Sequence, residues 1–202
     1  MTNQISMTTD KRQDHQLILE WIEPNSKVLD LGCGDGSLLS LLIEEKKCQG
    51  TGIEISEQAI YHCVAKGVSV SHSDIDTGLS DYSSQRFDYV ILNESLQQVL
   101  HPKSVILEAL RVGKRVIVGI PNFCHILARS QIFFKGRVPV TKELPYQWYD
   151  TPNLRFLSIK DFRHFCKENG IKILKEQGIS NSKKIPIFPN LFANIGMYLL
   201  EK

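Results

Sequence analysis

Leu17, Ile18, Trp21 and Ile22 fall on one helical face, and Pro24, Asn25 and Ser26 end the helix they predict. Residues 27–31 then form a short apolar run into glycines, as a buried strand does. Leu38, Leu39, Leu41, Leu42 and Ile43 follow with the density of a buried helix. The alternation repeats with a strand over 50–55, a helix over 56–66 that Ser56 caps and Gly67 stops, and a short strand over 68–72. A strongly apolar strand over 87–92, a helix over 103–112 closed by Gly113, and a strand over 114–120 complete the regular part.

Beyond Pro121 the rhythm changes. Phe123, Ile126, Leu127, Phe133 and Phe134 mark an amphipathic helix whose apolar face is expected to dock on the sheet, and an irregular run with prolines and aromatics covers 136–153. A helix starts at Ser158, with Asp161 placed as in a capping box, and ends at Asn169 and Gly170. Residues 171–175 and 194–200 read as two last strands, completing the sheet as an antiparallel hairpin with a long connection. Right-handed crossovers place successive helices on both faces of such a sheet. The expected fold is therefore α/β: a doubly wound, mostly parallel, Rossmann-like seven-stranded sheet. Its expected organisation is a flexible N-terminus at 1–13 and a single domain at 14–202, with a lid insertion at about 122–153 over the ligand cleft.

Composition narrows the partners. The 202 residues carry 24 basic and 22 acidic side chains, a net charge of +2, so no overall field argues for nucleic acid or an anionic membrane. Arg129, Lys135 and Arg137 beside Phe133 and Phe134 would suit RNA, but the docked amphipathic helix explains them more cheaply. Five cysteines without a C-x-x-C pair favour a reducing cytoplasm. The first 14 residues lack the apolar core of a signal peptide, and no stretch is long enough to span a bilayer. The six histidines show no helical metal spacing, so no metal site is expected.

The densest chemical signal is Asp30-Leu31-Gly32-Cys33-Gly34-Asp35-Gly36, where a strand ends in an acid and a glycine-rich turn opens a helix. Glycines let a ligand approach the backbone, and the helix start supplies unpaired N–H groups. The dinucleotide fingerprint is related, but its third glycine position is Ser37 here. The run resembles motif I of class I S-adenosylmethionine-dependent methyltransferases, in which the loop, here Gly32, Cys33, Gly34 and Gly36, packs on the methionyl part of the cofactor. The leading acid, here Asp30, helps hold the ammonium in that family. Glu54 ends the second strand, where an acid can accept hydrogen bonds from both ribose hydroxyls. Asp74 matches the acid near the adenine amino group, Ile55 and Ile75 are candidates for flanking the adenine plane, and Asn93 ends a fourth strand whose tip lies beside the transferable methyl in that family.

Catalytic residues are less legible. Asn93-Glu94-Ser95-Leu96 stands where amino-methylating enzymes of nucleic acid carry an Asn/Asp-Pro-Pro-aromatic motif, and no Pro-Cys pair marks a cytosine nucleophile. Methyl transfer proceeds largely by proximity, so this leaves the acceptor open without excluding an enzyme.

A closer resemblance extends from about Asp14 onward. Residues 30–39, 88–96, 120–123 (Ile-Pro-Asn-Phe), 136–141, 144–153 with Pro145-Tyr146-Gln147-Trp148-Tyr149-Asp150-Thr151-Pro152-Asn153, and 188–191 are similar to the MetW family of methionine-biosynthesis proteins. That resemblance implies a role beside homoserine O-acetyltransferase and carries Asp30, Gly32, Gly34, Gly36, Glu54 and Asp74 over as cofactor residues. Tyr146, Trp148, Tyr149, Asp150 and Asn153 carry over only as a family signature, either a packed loop or a functional one. Two functions follow: a regulatory subunit that binds S-adenosylmethionine, or an independent methyltransferase acting on a small molecule.

Overall fold

The computed structural model describes residues 12–141, 144–181 and 183–202. The expected flexible N-terminus lies outside the described residues as far as residue 11, whereas Gln13 already starts the first helix. In chain order the elements are α1 (Gln13–Trp21), β1 (Lys27–Leu31), α2 (Ser37–Lys46), β2 (Gln49–Glu54), α3 (Glu57–Ala65), β3 (Ser69–His72), β4 (Phe87–Asn93), a single 3-10 turn (Leu96–Gln98), α4 (Pro102–Val112) and β5 (Gly113–Pro121). There follow α5 (Ile126–Lys135), α6 (Ile159–Glu168), β6 (Lys172–Ser180), β7 (Lys183–Ile185), α7 (Pro189–Phe192) and β8 (Ile195–Glu201).

The strands form one sheet in the order β3-β2-β1-β4-β5-β8-β6-β7. The first five are parallel, and β8, β6 and β7 add antiparallel. The doubly wound α/β fold is as expected, but among the described residues the sheet has eight strands, not seven. The extra one, β7, is three residues long, largely polar and paired only with β6, so it has no apolar run to betray it. β6 itself runs to Ser180, past the expected end near 175: behind a bulge between Ile173 and Lys175 the half-buried polar pair Glu176 and Gln177 breaks the apolar run before the buried Gly178, Ile179 and Ser180.

Alternation along the central strands makes two cores. Val90 and Leu92 of β4, with Val116 and Val118 of β5, meet Val105, Ile106 and Ala109 of α4 and Phe162 and Cys166 of α6. Tyr89, Ile91 and Ile117 point to the other face, against Leu17, Ile18 and Trp21 of α1, Leu38, Leu39 and Leu42 of α2 and Cys63 of α3. Ser158 and Asp161 form the reciprocal box that starts α6. All five cysteines are free thiols.

α5 is the exception to the expected packing. Only Ala128 of this helix is buried, and Leu127, Ile132, Phe133 and Phe134 are exposed, Phe133 to 82%. The cores on the two faces of the sheet are filled by other elements and include no residue of α5. Among the described residues no helix is long and apolar enough to cross a membrane.

Candidate functional site

Strand order reverses between β1 and β4, and at the carboxyl ends of these strands an open α/β sheet forms its ligand crevice. Asp30, on β1, is 3% exposed. Burial first, and the nearby Glu54 second, push its carboxyl up to about 7, while the charge of Arg12 pulls the other way. A buried acid so placed favours a cationic ligand.

The turn after β1 is pinned to β2, since the N–H groups of Gly32 and Cys33 both donate to the carbonyl of Ile53, at 2.8 and 3.1 Å. Gly32 and Gly36 have φ of +77° and +75°; a Cβ at Gly32 would stand 3.0 Å from Cβ of Ser95, and one at Gly36 2.9 Å from Sγ of Cys63. Gly34 donates its N–H to Oε2 of Glu54 at 2.9 Å, and Oε1 of Glu54 accepts from Ile55 and Ser56 at 2.8 and 2.9 Å. Glu54 is thus locked in place with acceptor capacity left toward the cleft.

A cleft of about 410 Å³ opens here, lined by Gly32, Glu54, Ile55, Asp74, Ile75, Glu94 and Ser95. Asp74 is exposed and turns one oxygen to the N–H of Asp76 at 2.9 Å. Asp76 spends both oxygens on the N–H groups of Leu100 and His101, each at 2.8 Å, and holds the loop before α4. Of the two acids, Asp76 is therefore committed to the chain, and Asp74 is the more exposed.

Two candidates stand elsewhere. The Cys33 side chain is buried, with Sγ 3.8 Å from Sγ of Cys63, and burial pushes its thiol far up. It belongs to the core beneath the loop, because Gly52 leaves the space its sulfur fills. Asn93 turns back toward α1: its Nδ2 donates to Oδ2 of Asp14 at 2.7 Å, and its Oδ1 is packed over Gly119. Neither side chain lines the cleft.

What the chain pattern did not disclose lies beside it. A second cavity of about 520 Å³ shares Glu94 and Gln98 with the first and is lined by Arg12, Asp14, Gln97, Pro145, Tyr146, Asn153, Asn181 and Asn194, among others. Glu94 takes a left-handed φ of +57°, strain of the kind found at functional sites. Its Oε2 accepts from Nη2 of Arg12 at 2.8 Å. Asp14 is 5% exposed; burial pushes its carboxyl up, but hydrogen bonds from Arg12 and Asn93 outweigh this and hold it below its ordinary value. Gln97 is equally buried, with Nε2 donating to the carbonyl of Glu94 at 2.7 Å, while its Oε1 and Ser95 Oγ have no partner among the described residues. An acid directly after an apolar strand was the one signal available for Glu94; polar residues ahead of α1 offered none for Arg12.

The segment after β5 stands over this second cavity and not over the first. Leu154 and Arg155 donate their N–H groups to the carbonyl of Gln97 at 2.9 and 3.2 Å. Pro145, Tyr146 and Asn153 line the cavity, whereas Trp148 and Tyr149, in edge contact with each other, are 73% and 70% exposed. Asn122 is structural, since its Nδ2 donates to the carbonyls of Ala193 and Asn190 and so ties the late loop to β5.

A family described as methionine biosynthesis protein MetW matches residues 12–200. A relative in Rhodopirellula baltica, named bifunctional methionine biosynthesis protein MetXA/MetW, is 34% identical over 172 residues, 81% of this chain and 28% of the relative. A ubiquinone biosynthesis O-methyltransferase of Idiomarina loihiensis is 33% identical over 105 residues, 48% of this chain and 42% of that enzyme. The chain thus spans less than half the length of either. Among solved structures, a SAM-dependent methyltransferase from Thermotoga maritima superposes with a TM-score of 0.66 at 18% identity, over 94% of this chain and 87% of that one, which is a likeness of fold.

Proposed function

The chain belongs to the MetW family of methionine biosynthesis proteins, and from that premise we propose that it binds S-adenosylmethionine and regulates a homoserine O-acetyltransferase by direct contact. The residues fit the cofactor. A buried carboxyl raised to about 7 suits an ammonium, Glu54 keeps acceptor capacity for two ribose hydroxyls, and Asp74, Ile55 and Ile75 line the same cleft. When bound, the cofactor brings a methyl group on a cationic sulfonium. The chain's own residues hold, orient and partly enclose it.

The observation that carries the regulatory reading is the two-sidedness of the segment 144–153. Tyr146 and Asn153 face the cavity beside the cofactor cleft, while Trp148 and Tyr149 stand in solvent. Trp and Tyr dominate interface hot spots. A partner seated on them would sense what the cavity holds, and by linkage it would alter ligand affinity by the same factor as the ligand alters its own. The relative that bears the MetXA and MetW names in one chain supports the pairing. The test is to co-purify the chain with homoserine O-acetyltransferase, measure acetyl transfer to homoserine and titrate S-adenosylmethionine. Unchanged activity with no complex at micromolar concentration returns the weight to the second reading.

That second reading, an independent methyltransferase, is favoured by the 520 Å³ cavity contiguous with the cleft through Glu94 and Gln98. A small acceptor would fit there, oriented by proximity. Transfer of labelled methyl to a metabolite extract, in the absence of the acetyltransferase, distinguishes it.

A further inference from the structure

A line of cavities runs outward from the cofactor cleft along α5. The 520 Å³ cavity shares Asn181 and Asn194 with a third of about 490 Å³, and that one shares Gln131, Lys135 and Val140 with a fourth of about 420 Å³ that Trp148 helps to line. Charge changes sign along the way. Five carboxylates and one base, Arg12, line the cleft and the inner cavity, whereas Lys135 and Arg137 line the outermost one and no described acid lines either outer cavity.

The chain itself builds this basic end. Lys135 is the last residue of α5, and Gly136, at φ +58°, turns the backbone so that Arg137 lines the same cavity as Lys135. Gln131 then clips the returning chain to the helix: its Nε2 donates to the carbonyl of Val140 at 2.9 Å, and its Oε1 accepts the N–H of Val140 at 3.1 Å. Arg129, the third cation of the region, is spent on the carbonyls of Cys124 and Asn190. Lys135 answers the partial negative charge at the end of α5, but Arg137 lies beyond the helix and is not explained that way. Neither of the two has an acidic partner among the described residues.

Two cations in a concave wall beside an exposed indole match carboxylates borne on a chain that also offers an apolar side chain. An anionic membrane would call for a broad basic face, and RNA for a track of cations along its backbone. We propose that the groove between α5 and the chain returning from Gly136 receives an extended acidic segment of a partner protein, its carboxylates on Lys135 and Arg137 and an apolar side chain on Trp148. This rests on the regulatory reading above, in which the partner is homoserine O-acetyltransferase. The segment then enters a groove that leads to the cavity beside the cofactor cleft, and this gives partner and cofactor a common wall through which to affect each other.

The acetyltransferase itself is the probe, titrated by calorimetry into the native chain, into a double variant Lys135→Glu with Arg137→Glu, and into Lys135→Gln with Arg137→Gln. The reversal should weaken binding by roughly thirtyfold or more, because it sets like charges face to face, and the neutral pair by roughly fivefold. Native affinity should fall between about 50 and 500 mM salt, and the neutral pair should lose most of that dependence. Both side chains are exposed, so thermal unfolding should not move; if the reversal does not fold, the neutral pair decides. A native complex that the variants form with equal affinity and equal salt dependence overturns the groove and leaves the regulatory reading standing. Absence of any complex with the native chain removes that reading and the groove's occupant together. Saturable native binding to phosphatidylglycerol vesicles or to an oligouridylate, abolished in variants that still bind the acetyltransferase as the native chain does, gives the two cations to a membrane or to RNA and overturns the proposal.

Discussion

Around the glycine loop the chain itself engages the backbone N–H groups and Glu54, whereas the stretch from α5 to residue 153 leaves its largest apolar side chains in water. Glu54 takes three backbone N–H groups, Gly32 and Cys33 share one carbonyl, and Gly36 sits against a thiol. On the other side Phe133, Phe134, Trp148 and Tyr149 are exposed and form two edge-on pairs. The first region is finished before any ligand arrives. The second leaves apolar surface in water, and exposed aromatic patches mark interaction sites.

The comparison is tested most severely by Gly36→Val. A side chain at φ +75° with its Cβ 2.9 Å from Cys63 Sγ must strain the loop and displace a buried sulfur. Destabilisation of about 2–4 kcal/mol is expected in urea unfolding. A loss below about 0.5 kcal/mol would show that the loop is looser than described. Next comes Glu54→Ala, which frees three backbone donors and removes the ribose acceptor. S-adenosylhomocysteine binding should weaken by about 1–3 kcal/mol in calorimetry, against no change for a residue that merely terminates β2.

Asp30 predicts a pH dependence. Its carboxyl titrates near 7 in the free protein, and an ammonium binds its ionised form, so affinity must rise with pH through that value and level off above it. S-adenosylhomocysteine should bind about tenfold more weakly at pH 6 than at pH 8.5, and Asp30→Asn should flatten the profile. The smallest expected effect is on the open side. Trp148→Ala should alter stability by no more than about 0.5 kcal/mol, because the ring is 73% exposed. The same change should weaken acetyltransferase binding by about 2 kcal/mol or more. A large loss of stability instead would make Trp148 part of the fold and return the segment to a packed loop.

The glycine loop, Glu54 and Asp74 were legible because each is local: the residue type, the strand before it and the turn after it all lie within a few positions. The preference for Asp74 over Asp76 needed only the strand end, and the structure gives Asp76 its own task on the loop before α4. Asn93 and Cys33 read as site residues on position alone. Their directions depended on Asp14 and Cys63, 79 and 30 residues away in sequence. α5 was misjudged for a related reason. An apolar helix promises a partner, but whether the sheet has room for it is a property of all the other helices.

Period, turn chemistry and the order of strands and helices determined by themselves that this chain winds a parallel sheet with a glycine-edged crevice, since those signals act over one or two turns of backbone. Only the tertiary structure decided that Arg12, Asp14 and Glu94 meet at the crevice, that β7 adds an eighth strand, and that Trp148 faces solvent while Tyr146 faces the cavity. Long-range pairing of charges and competition for buried surface are settled by the whole chain at once, and no local pattern carries them.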